Sequence, residues 1–301
     1  MDGATLTREL QQLLSETSSG TWLDTKSNYD YLYEAALTTA DRINAFSTSA
    51  TITTVADDLD YYLPADFLKL YLTDKTNRSF IKYNNGSDDY FIYFKPYEEI
   101  ILADNDDSVA IPSEFSIIDA PALTQITGTT TSAGAVANGE CTLTDTAGGF
   151  STATVNVGDF VQNTSDGSHG IILAITSTTA LVTALFGGTN NDWTSGDAYI
   201  INPQGRFQLI LDPPPSTSGH TITVYHIQRP APVYSPKRSY RFAPHYKRPL
   251  INYAAWLYKY RDSEPNFGDA FYKYWDNSVR RFGTTLNQAM KRTQLKVNMI
   301  R

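Results

Sequence analysis

Residues Tyr246–Met290 read "YKRPLINYAAWLYKYRDSEPNFGDAFYKYWDNSVRRFGTTLNQAM" and concentrate large aromatic side chains. In the first half, one helical face carries Leu250, Tyr253, Ala254 and Leu257. In the second half, apolar residues recur every three or four positions, at Phe271, Trp275, Val279, Phe282, Leu286 and Met290. The pattern predicts two helices joined by a break at Asp262–Asn266, with Pro265 in the first turn of the second helix. Helices this aromatic need an apolar partner.

A partner face lies about two hundred residues upstream. A helical pattern is predicted to begin at Ser27, with Asp30 three residues later in an arrangement like a capping box. Its apolar face is Leu32, Ala35, Ala36, Thr39, Ile43 and Phe46. These side chains are small where the C-terminal ones are large, which favours close packing. With a shorter helix at Thr5–Ser15, the sequence predicts a helical bundle of residues 1–46 and 244–291.

At Ser47 the apolar period changes from 3.6 residues to two, which indicates β-strands. The predicted strands are Ala50–Val55, Leu59–Leu63, Phe67–Leu72, Ser79–Tyr83, Tyr90–Phe94, Glu99–Leu102, Glu114–Ile118, Phe207–Leu211 and Thr221–Ile227. Asn84-Asn85-Gly86 is a strong turn signal between two of them. An antiparallel β-sheet region is therefore expected from residues 47–123 and 203–232.

Residues 124–202 differ in composition, because Thr, Gly, Ala, Ser and Val dominate there. Short strands are predicted at Thr152–Val155, Phe160–Gln162, Ile171–Ile175 and Ala180–Ala184. Gly158-Asp159 and Gly196-Asp197 resemble paired turns. We interpret residues 124–202 as an inserted small all-β barrel or sandwich, and residues 1–123 with 203–301 as the remaining domain. The predicted fold class is α+β.

The net charge of −8 conceals a strong polarity. From Lys237 onward there are 14 basic and 4 acidic residues, whereas the first 236 residues hold 10 basic and 28 acidic ones. No Lys or Arg occurs between Lys95 and Arg206. A basic end and an acidic middle suit a protein that stacks on itself or on a partner.

Signatures of catalysis are poor, and we expect no enzyme, cofactor or metal site. The four histidines, His169, His220, His226 and His245, are scattered, and Cys141 is the single cysteine. Phosphate-binding and nucleophile-elbow motifs do not occur. Asp104–Ser108 is acidic enough to bind a hard cation, but it fits a solvated turn better. With no signal peptide and no membrane-length apolar run, the sequence predicts a soluble protein without a membrane partner.

Basic residues interleave with aromatic ones just before the C-terminal helices. The set is Lys237, Arg238, Tyr240, Arg241, Phe242, Tyr246, Lys247 and Arg248. This pattern can bind nucleic acid through phosphates and stacking. The chain as a whole is acidic, which argues against a dedicated DNA-binding protein. We therefore expect this basic segment to dock on an acidic protein surface.

The order of these parts resembles the head-to-tail adaptor proteins of tailed bacteriophages. The resemblance is carried by four stretches: "STSATITTVADDLDYYLPADFLKLY" (Ser47–Tyr71), "FQLILDPPP" (Phe207–Pro215), "TVYHIQRPAP" (Thr223–Pro232) and "LINYAAWLYKY…FYKYWDNSVRR" (Leu250–Arg281). The insert, with "LTDTAGGFSTATVNVGDF" (Leu143–Phe160), is similar to small β modules of phage structural proteins. The resemblance covers most of the chain and rests on motif order.

The resemblance implies a structural virion protein, assembled in the host cytoplasm, at the head–tail interface. Such adaptors form a ring, usually of twelve copies, beneath the portal protein ring and extend the DNA channel toward a tail nozzle or tail-tube protein. Double-stranded DNA would then pass transiently and without specific contacts. Carried over, the ring interface is Tyr253, Trp256, Tyr260, Tyr272, Trp275, Arg280 and Arg281. The portal-docking arm is Lys291, Arg292, Leu295, Lys296, Val297, Met299, Ile300 and Arg301.

Two alternatives stay open at this point. The chain could be a phage tail or carbohydrate-binding protein whose β insert contacts host glycans. It could also be a tail-tube closing protein, which would form rings of six copies.

Overall fold

A computed structural model describes residues 1–14, 25–71, 78–102, 110–120, 123–261 and 268–282. The helices are α1 (Gly3–Leu13), α2 (Thr25–Ile43), α3 (Tyr97–Leu102), α4 (Lys247–Arg261) and α5 (268–282), with a 3-10 turn at Pro244–Tyr246 before α4. The capping prediction at Ser27 is wrong, because α2 is already helical at Thr25. The predicted helix break at Asp262–Asn266, the acidic stretch Asp104–Ser108 and the positions beyond Phe282 lie outside the described residues.

Helices from the two chain ends share one apolar cluster. α2 contacts α4, and α1 contacts both. The cluster holds Leu6 and Leu10 of α1, Leu32 and Ala36 of α2, and Leu250 of α4, all at most 1% exposed. The small side chains predicted for α2 are indeed buried there, and Trp275 and Val279 of α5 join the same cluster. The chain therefore combines helices with mostly β structure, in agreement with the α+β class.

Eight strands of the described residues form what we call the core sheet. They are β1 (Ser47–Thr53), β2 (Asp60–Tyr62), β3 (Phe67–Leu70), β4 (Phe80–Asn84), β5 (Asp89–Phe94), β6 (Glu114–Asp119), β13 (Phe207–Asp212) and β14 (Thr221–Gln228). The order is β1-β14-β4-β5-β6-β13-β2, and β3 also pairs with β14. Alternate residues such as Ile81, Ile92, Leu209 and Ile222 point to one side and are completely buried, as a period of two requires.

One neighbouring pair of the core sheet is parallel, contrary to a purely antiparallel sheet: Tyr93 of β5 is opposite Glu114 of β6. The reason is that Glu99–Leu102, predicted as a strand, belongs to α3, which crosses from one strand to the other. The carbonyl of Pro96 accepts hydrogen bonds from the amides of Glu99 and Ile100. Acidic Glu98 and Glu99 lie in the first turn, where the helix dipole favours negative charge.

Residues 126–202 form the second sheet, called the insert sheet. Its strands are β7 (Ile126–Thr129), β8 (Cys141–Thr144), β9 (Phe160–Asn163), β10 (His169–Ser177), β11 (Ala180–Phe186) and β12 (Ala198–Asn202), in the order β7-β12-β9-β10-β11-β8. The prediction of a strand at Thr152–Val155 is wrong. The carbonyl of Ser151 accepts hydrogen bonds from the amides of both Thr154 and Val155, so this segment turns.

The predicted paired turns precede β9 and β12, which are neighbours in the insert sheet. Gly158 and Gly196 adopt φ of 98° and 96°, in the left-handed region that favours glycine. Asp159 and Asp197 each accept a hydrogen bond from the amide three residues earlier, at 2.7 and 2.8 Å. The two turns thus share one local structure.

The insert sheet closes on itself. The amide of Thr131, just after β7, donates to the carbonyl of Thr144 at the end of β8, at 2.7 Å. Its interior is filled by Trp193, Tyr199 and Phe150, each 1% exposed. The chain enters and leaves this sheet between β6 and β13, which pair directly with each other. The segment is therefore inserted between two adjacent strands of the core sheet.

Candidate assembly surface

The candidate functional surface is built on α4 and α5. α4 forms because Pro249 lies in its first turn, where a missing amide hydrogen costs little, and helix-compatible residues follow. Leu250, Ile251, Ala254 and Ala255 are completely buried against the other helices. Farther along α4, Trp256 and Leu257 are half-buried and Tyr260 is exposed, so this end of the helix reaches the surface.

Two of the seven residues assigned to the ring interface lie inside the subunit. Trp275 is 4% exposed, and its indole Nε1 donates to Oγ1 of Thr39 in α2 at 3.0 Å. Tyr253 is 8% exposed, and its ring centroid is 4.7 Å from that of Trp275. Burial raises the pKa of the Tyr253 phenol, so the ring stays neutral. These two aromatics hold α4 and α5 to α2.

Three others form a surface set that we call the aromatic ridge: half-buried Trp256 with exposed Tyr260 and Tyr272. The ring centroid of Trp256 lies 5.0 Å from that of Tyr272 and 6.0 Å from that of Tyr260. Tyr260 is 66% exposed and Tyr272 is 40% exposed. An exposed cluster of Tyr and Trp is the composition found at the centres of protein interfaces.

The two remaining residues, Arg280 and Arg281, are exposed near the end of the described part of α5. Nε of Arg280 lies 2.8 Å from a carboxylate oxygen of Asp276, and Arg42 of α2 approaches the same carboxylate at 3.7 Å. Such exposed ion pairs contribute only about 0–1 kcal/mol, so they orient α5 more than they stabilise it. The predicted docking arm, Lys291–Arg301, lies outside the described residues.

The insert sheet is fastened to the helices. Tyr29 of α2 packs with Phe186 of β11 and with Tyr234, at centroid distances of 6.2 and 5.8 Å. Glu140, just before β8, accepts hydrogen bonds from Arg238 at 2.8 Å and Ser235 at 2.7 Å. Burial alone would raise the pKa of Glu140, but these two donors hold it below its ordinary value of 4.5. Sequence reasoning missed this fastening, since a lone glutamate before a strand carries no signal.

Two neighbouring clefts lie where the core sheet, the insert sheet and residues 228–232 meet. The connector cleft, of about 300 Å³, is lined by Tyr33, Phe46, Arg229 and Arg241 among others. The seam cleft, of about 480 Å³, lies between β1 and the end of β2. Both include Asp66, whose pKa is lowered by contact with the His226 ring. The clefts were not predicted, although Arg206, the first base after the long base-free stretch, marks the seam cleft.

The histidines do not come together. His226 is buried in β14 with its Nε2 3.7 Å from Asp66, while Nδ1 of His220 lies 2.6 Å from the Tyr83 hydroxyl. Among the described residues, no three His, Cys, Asp or Glu side chains are grouped so that they could hold a metal ion. Within the same ranges, no helix is both long and apolar enough to span a bilayer.

No protein-family model matches the chain, and no curated protein matches it.

Proposed function

We propose that this chain is a structural virion protein, a head-to-tail adaptor that forms a ring under a portal and extends the DNA channel toward the tail. In this proposal the helices of the two chain ends act as the ring-forming bundle. The arm Lys291–Arg301 docks on the portal, and a tail nozzle or tail-tube protein binds on the other side. The protein would be found at the head–tail interface of the virion and would have no enzymatic role.

The observation that carries this proposal is the aromatic ridge. Tyr260 and Tyr272 are exposed, with half-buried Trp256 between them, on helices that are fixed firmly because Trp275 and Tyr253 anchor them to α2. Rigid, half-polar aromatics contribute binding energy with little loss of conformational entropy. A ridge of this kind on one side of the subunit suits contact with an identical neighbour.

The charge distribution supports a contact between two different surfaces of neighbouring copies. The part of the chain from Lys237 onward carries a net charge of +10, while the preceding 236 residues carry −18. In a ring, a heterologous contact joins two different surfaces of neighbouring copies. The basic helices of one copy can therefore meet the acidic β structure of the next, which pairs the two opposite charges. Acidic groups left toward a channel would also repel DNA phosphates, which favours passage without sticking.

The test is the mass of the assembly, measured by native mass spectrometry for the chain alone and mixed with portal. We expect wild type to form a ring of twelve. The double variant Tyr260→Ser, Tyr272→Ser should stay monomeric and keep the far-UV circular dichroism spectrum of the folded chain, because Tyr260 is 66% exposed and Tyr272 40% exposed. Tyr71→Ser is the matched control, since Tyr71 is also 40% exposed but lies after β3.

Three results would overturn the proposal. One is a wild-type chain that stays monomeric both alone and with portal. Another is a ring of six, which would assign the chain to tail-tube closure. The third is a double variant that assembles as well as the control, which would remove the aromatic ridge from the interface.

A further inference from the structure

The seam cleft runs along two open strand edges of the core sheet. β1 pairs with β14 on one side, and no other described strand pairs with its opposite edge. β2 pairs with β13 and is the other terminal strand. Ala50, Thr51 and Ile52 of β1 line the cleft, and so do Tyr62 and Leu63 at the end of β2. The two ends of the sheet therefore face one space.

The alternation of hydrogen bonds along β1 shows which of its backbone N–H and C=O groups face the open edge. The amide of Gln228 donates to the carbonyl of Phe46, and the amide of Thr54 donates to that of His220. In an antiparallel ladder such bonded pairs recur at every second residue, so even-numbered positions of β1 bond to β14. The N–H and C=O groups of Ser47, Ser49, Thr51 and Thr53 consequently point to the open edge.

The same reasoning applies to β2. Leu63 donates to the carbonyl of Phe207, and Leu211 donates to that of Leu59, so odd-numbered positions bond to β13. The backbone groups of Asp60 and Tyr62 then point away from β13. Thr51 and Tyr62, one from each strand, line the seam cleft. An extended chain placed there would find backbone partners at either wall.

β1 carries none of the features that usually protect an edge strand. It holds no Lys and no Pro, and its pairing with β14 continues without a bulge from Ser47 to Thr53. Its residues are Ser, Thr, Ala and Ile, and five of the seven side chains are exposed. Unprotected edges of this type are the surfaces to which extended peptides add as a further strand.

The far wall of the seam cleft supplies one charge. Arg206 donates through Nη2 to the carbonyl of Thr152 at 2.8 Å and lies 5.9 Å from the centroid of the Tyr62 ring. Its Nε is buried without a hydrogen-bond partner among the described residues. Arg206 is half-buried and lines the cleft, and a carboxylate is the partner that a guanidinium binds best. Val157 and Ile175 complete this wall with apolar surface.

We infer that the seam cleft binds an extended segment of a partner polypeptide, which adds to the open edge of β1 as a strand and places a carboxylate side chain on Arg206. Strand addition supplies the backbone hydrogen bonds, and Arg206 supplies the side-chain preference. The inference goes beyond the adaptor proposal and stands without it, because both edges and the cleft belong to one chain.

The probe is a fluorescein-labelled peptide of alternating threonine and valine with one central glutamate, followed by fluorescence anisotropy with the full chain. A second peptide carries lysine instead of glutamate, and a third is N-methylated at alternate backbone positions. We expect the glutamate peptide to bind about tenfold or more tightly than the lysine peptide, from one charge-assisted hydrogen bond. The N-methylated peptide should not bind, because it cannot complete a strand ladder.

Two protein variants separate backbone from side chain. Thr51→Pro removes an outward amide and should abolish binding, whereas Thr51→Ala keeps that amide and should bind as wild type does. Arg206→Gln should lose the preference for the glutamate peptide over the lysine peptide, since Asp66 is then the remaining charged side chain of the lining. Amide hydrogen exchange on wild type needs no variant: the peptide should slow exchange at Ser49, Thr51 and Thr53, and leave Ala50 and Ile52 unchanged.

The results that would overturn this inference differ from those that would overturn the adaptor proposal. The inference is overturned if neither charged peptide binds saturably, if the N-methylated peptide binds equally well, or if protection appears away from β1. If Thr51→Pro loses self-assembly and the wild-type chain binds no peptide, the open edge of β1 pairs with a second copy of the chain. That result would overturn the inference of a partner polypeptide. Loss of assembly in the aromatic-ridge variant with peptide binding intact would instead leave this inference standing.

Discussion

The insert sheet and the core sheet differ in how their terminal strands end. In the insert sheet, Thr131 bonds to Thr144 across the terminal strands, and Trp193 fills the closed interior. In the core sheet, β1 and β2 face the seam cleft instead of each other. Closure satisfies backbone groups within the chain, whereas an open seam leaves them for something else. One sheet is thus finished within the subunit, and the other is available for recognition.

Among the variants that test this difference between the two sheets, the one at Trp193 should change the free energy of unfolding most. Its side chain is 1% exposed, and its Nε1 donates to Oγ1 of Thr183 at 2.9 Å. Trp193→Ala should lower the free energy of unfolding of the insert sheet by about 3–5 kcal/mol, since it leaves a cavity and removes one of the hydrogen bonds of the Thr183 hydroxyl. Urea unfolding followed by circular dichroism measures this.

Val136→Ala is the control for that experiment, because Val136 is 46% exposed and its loss should change stability by less than about 0.5 kcal/mol. A cost below about 1 kcal/mol for Trp193→Ala would mean that the insert sheet is not a closed, packed unit, and the contrast would fail.

A smaller effect is expected where the two regions are fastened. Glu140→Gln keeps the shape but removes the charge facing Arg238, so it should destabilise the chain by about 1.5–3 kcal/mol. Lys237→Ala is the matched control. Lys237 approaches the same carboxylate at 3.9 Å but is 68% exposed, so little change is expected. Equal effects of the two variants would contradict the assignment of Glu140 as the fastening.

The same contact should make stability depend on pH. The folded-state pKa of Glu140 is lower than its ordinary value of 4.5, so the unfolded chain binds a proton more readily than the folded one. The contribution of Glu140 is therefore complete above that value and is lost as pH falls through the folded-state pKa. Glu140→Gln should flatten this acid limb in thermal unfolding measured across pH. An unchanged limb would show that other carboxylates cause it.

The smallest effect concerns reactivity and not stability. Burial raises the pKa of the Cys141 thiol to about 11, and its Sγ lies 3.2 Å from the Thr183 hydroxyl oxygen. At pH 8 the thiolate fraction should be about two orders of magnitude below that of a free cysteine. A colorimetric thiol reagent should react slowly with native protein and at the ordinary rate in urea. Rapid native labelling would show that the insert sheet opens readily.

Sequence periodicity was sufficient for the helices and for most strands of the core sheet. The face Leu32–Thr39 was predicted because apolar residues recur at helical spacing over several turns. The short segments failed for physical reasons. Glu99–Leu102 is too brief for its period to separate helix from strand, and Pro96 with two acidic residues begins a helix there. At Thr152–Val155, β-branched residues favour a strand, yet the Ser151 carbonyl closes a turn.

The assembly residues were predicted only as a group. The resemblance assigned Tyr253 and Trp275 to the ring interface together with Tyr260 and Tyr272, because all four are half-polar aromatic residues of the two C-terminal helices. Which of them is buried depends on where α2 lies, since Thr39 holds Trp275 inward. The seam cleft was beyond sequence reasoning for a related reason. It depends on which strands pair, and pairing between distant segments leaves no local signal.

The adjacency of Asp119 and Phe207 has a consequence for how such a chain can diversify. They are directly paired neighbours, and the amide of Ala120 donates to the carbonyl of Arg206. A simple β-hairpin turn could join β6 to β13 without changing their register, so residues 121–205 occupy a position where modules can be exchanged. The exchange is constrained, however, because Tyr29 and Tyr234 pack against β10 and β11. Any replacement module must cover the same two tyrosines. Otherwise their rings would be exposed and would give the subunit a new apolar surface patch.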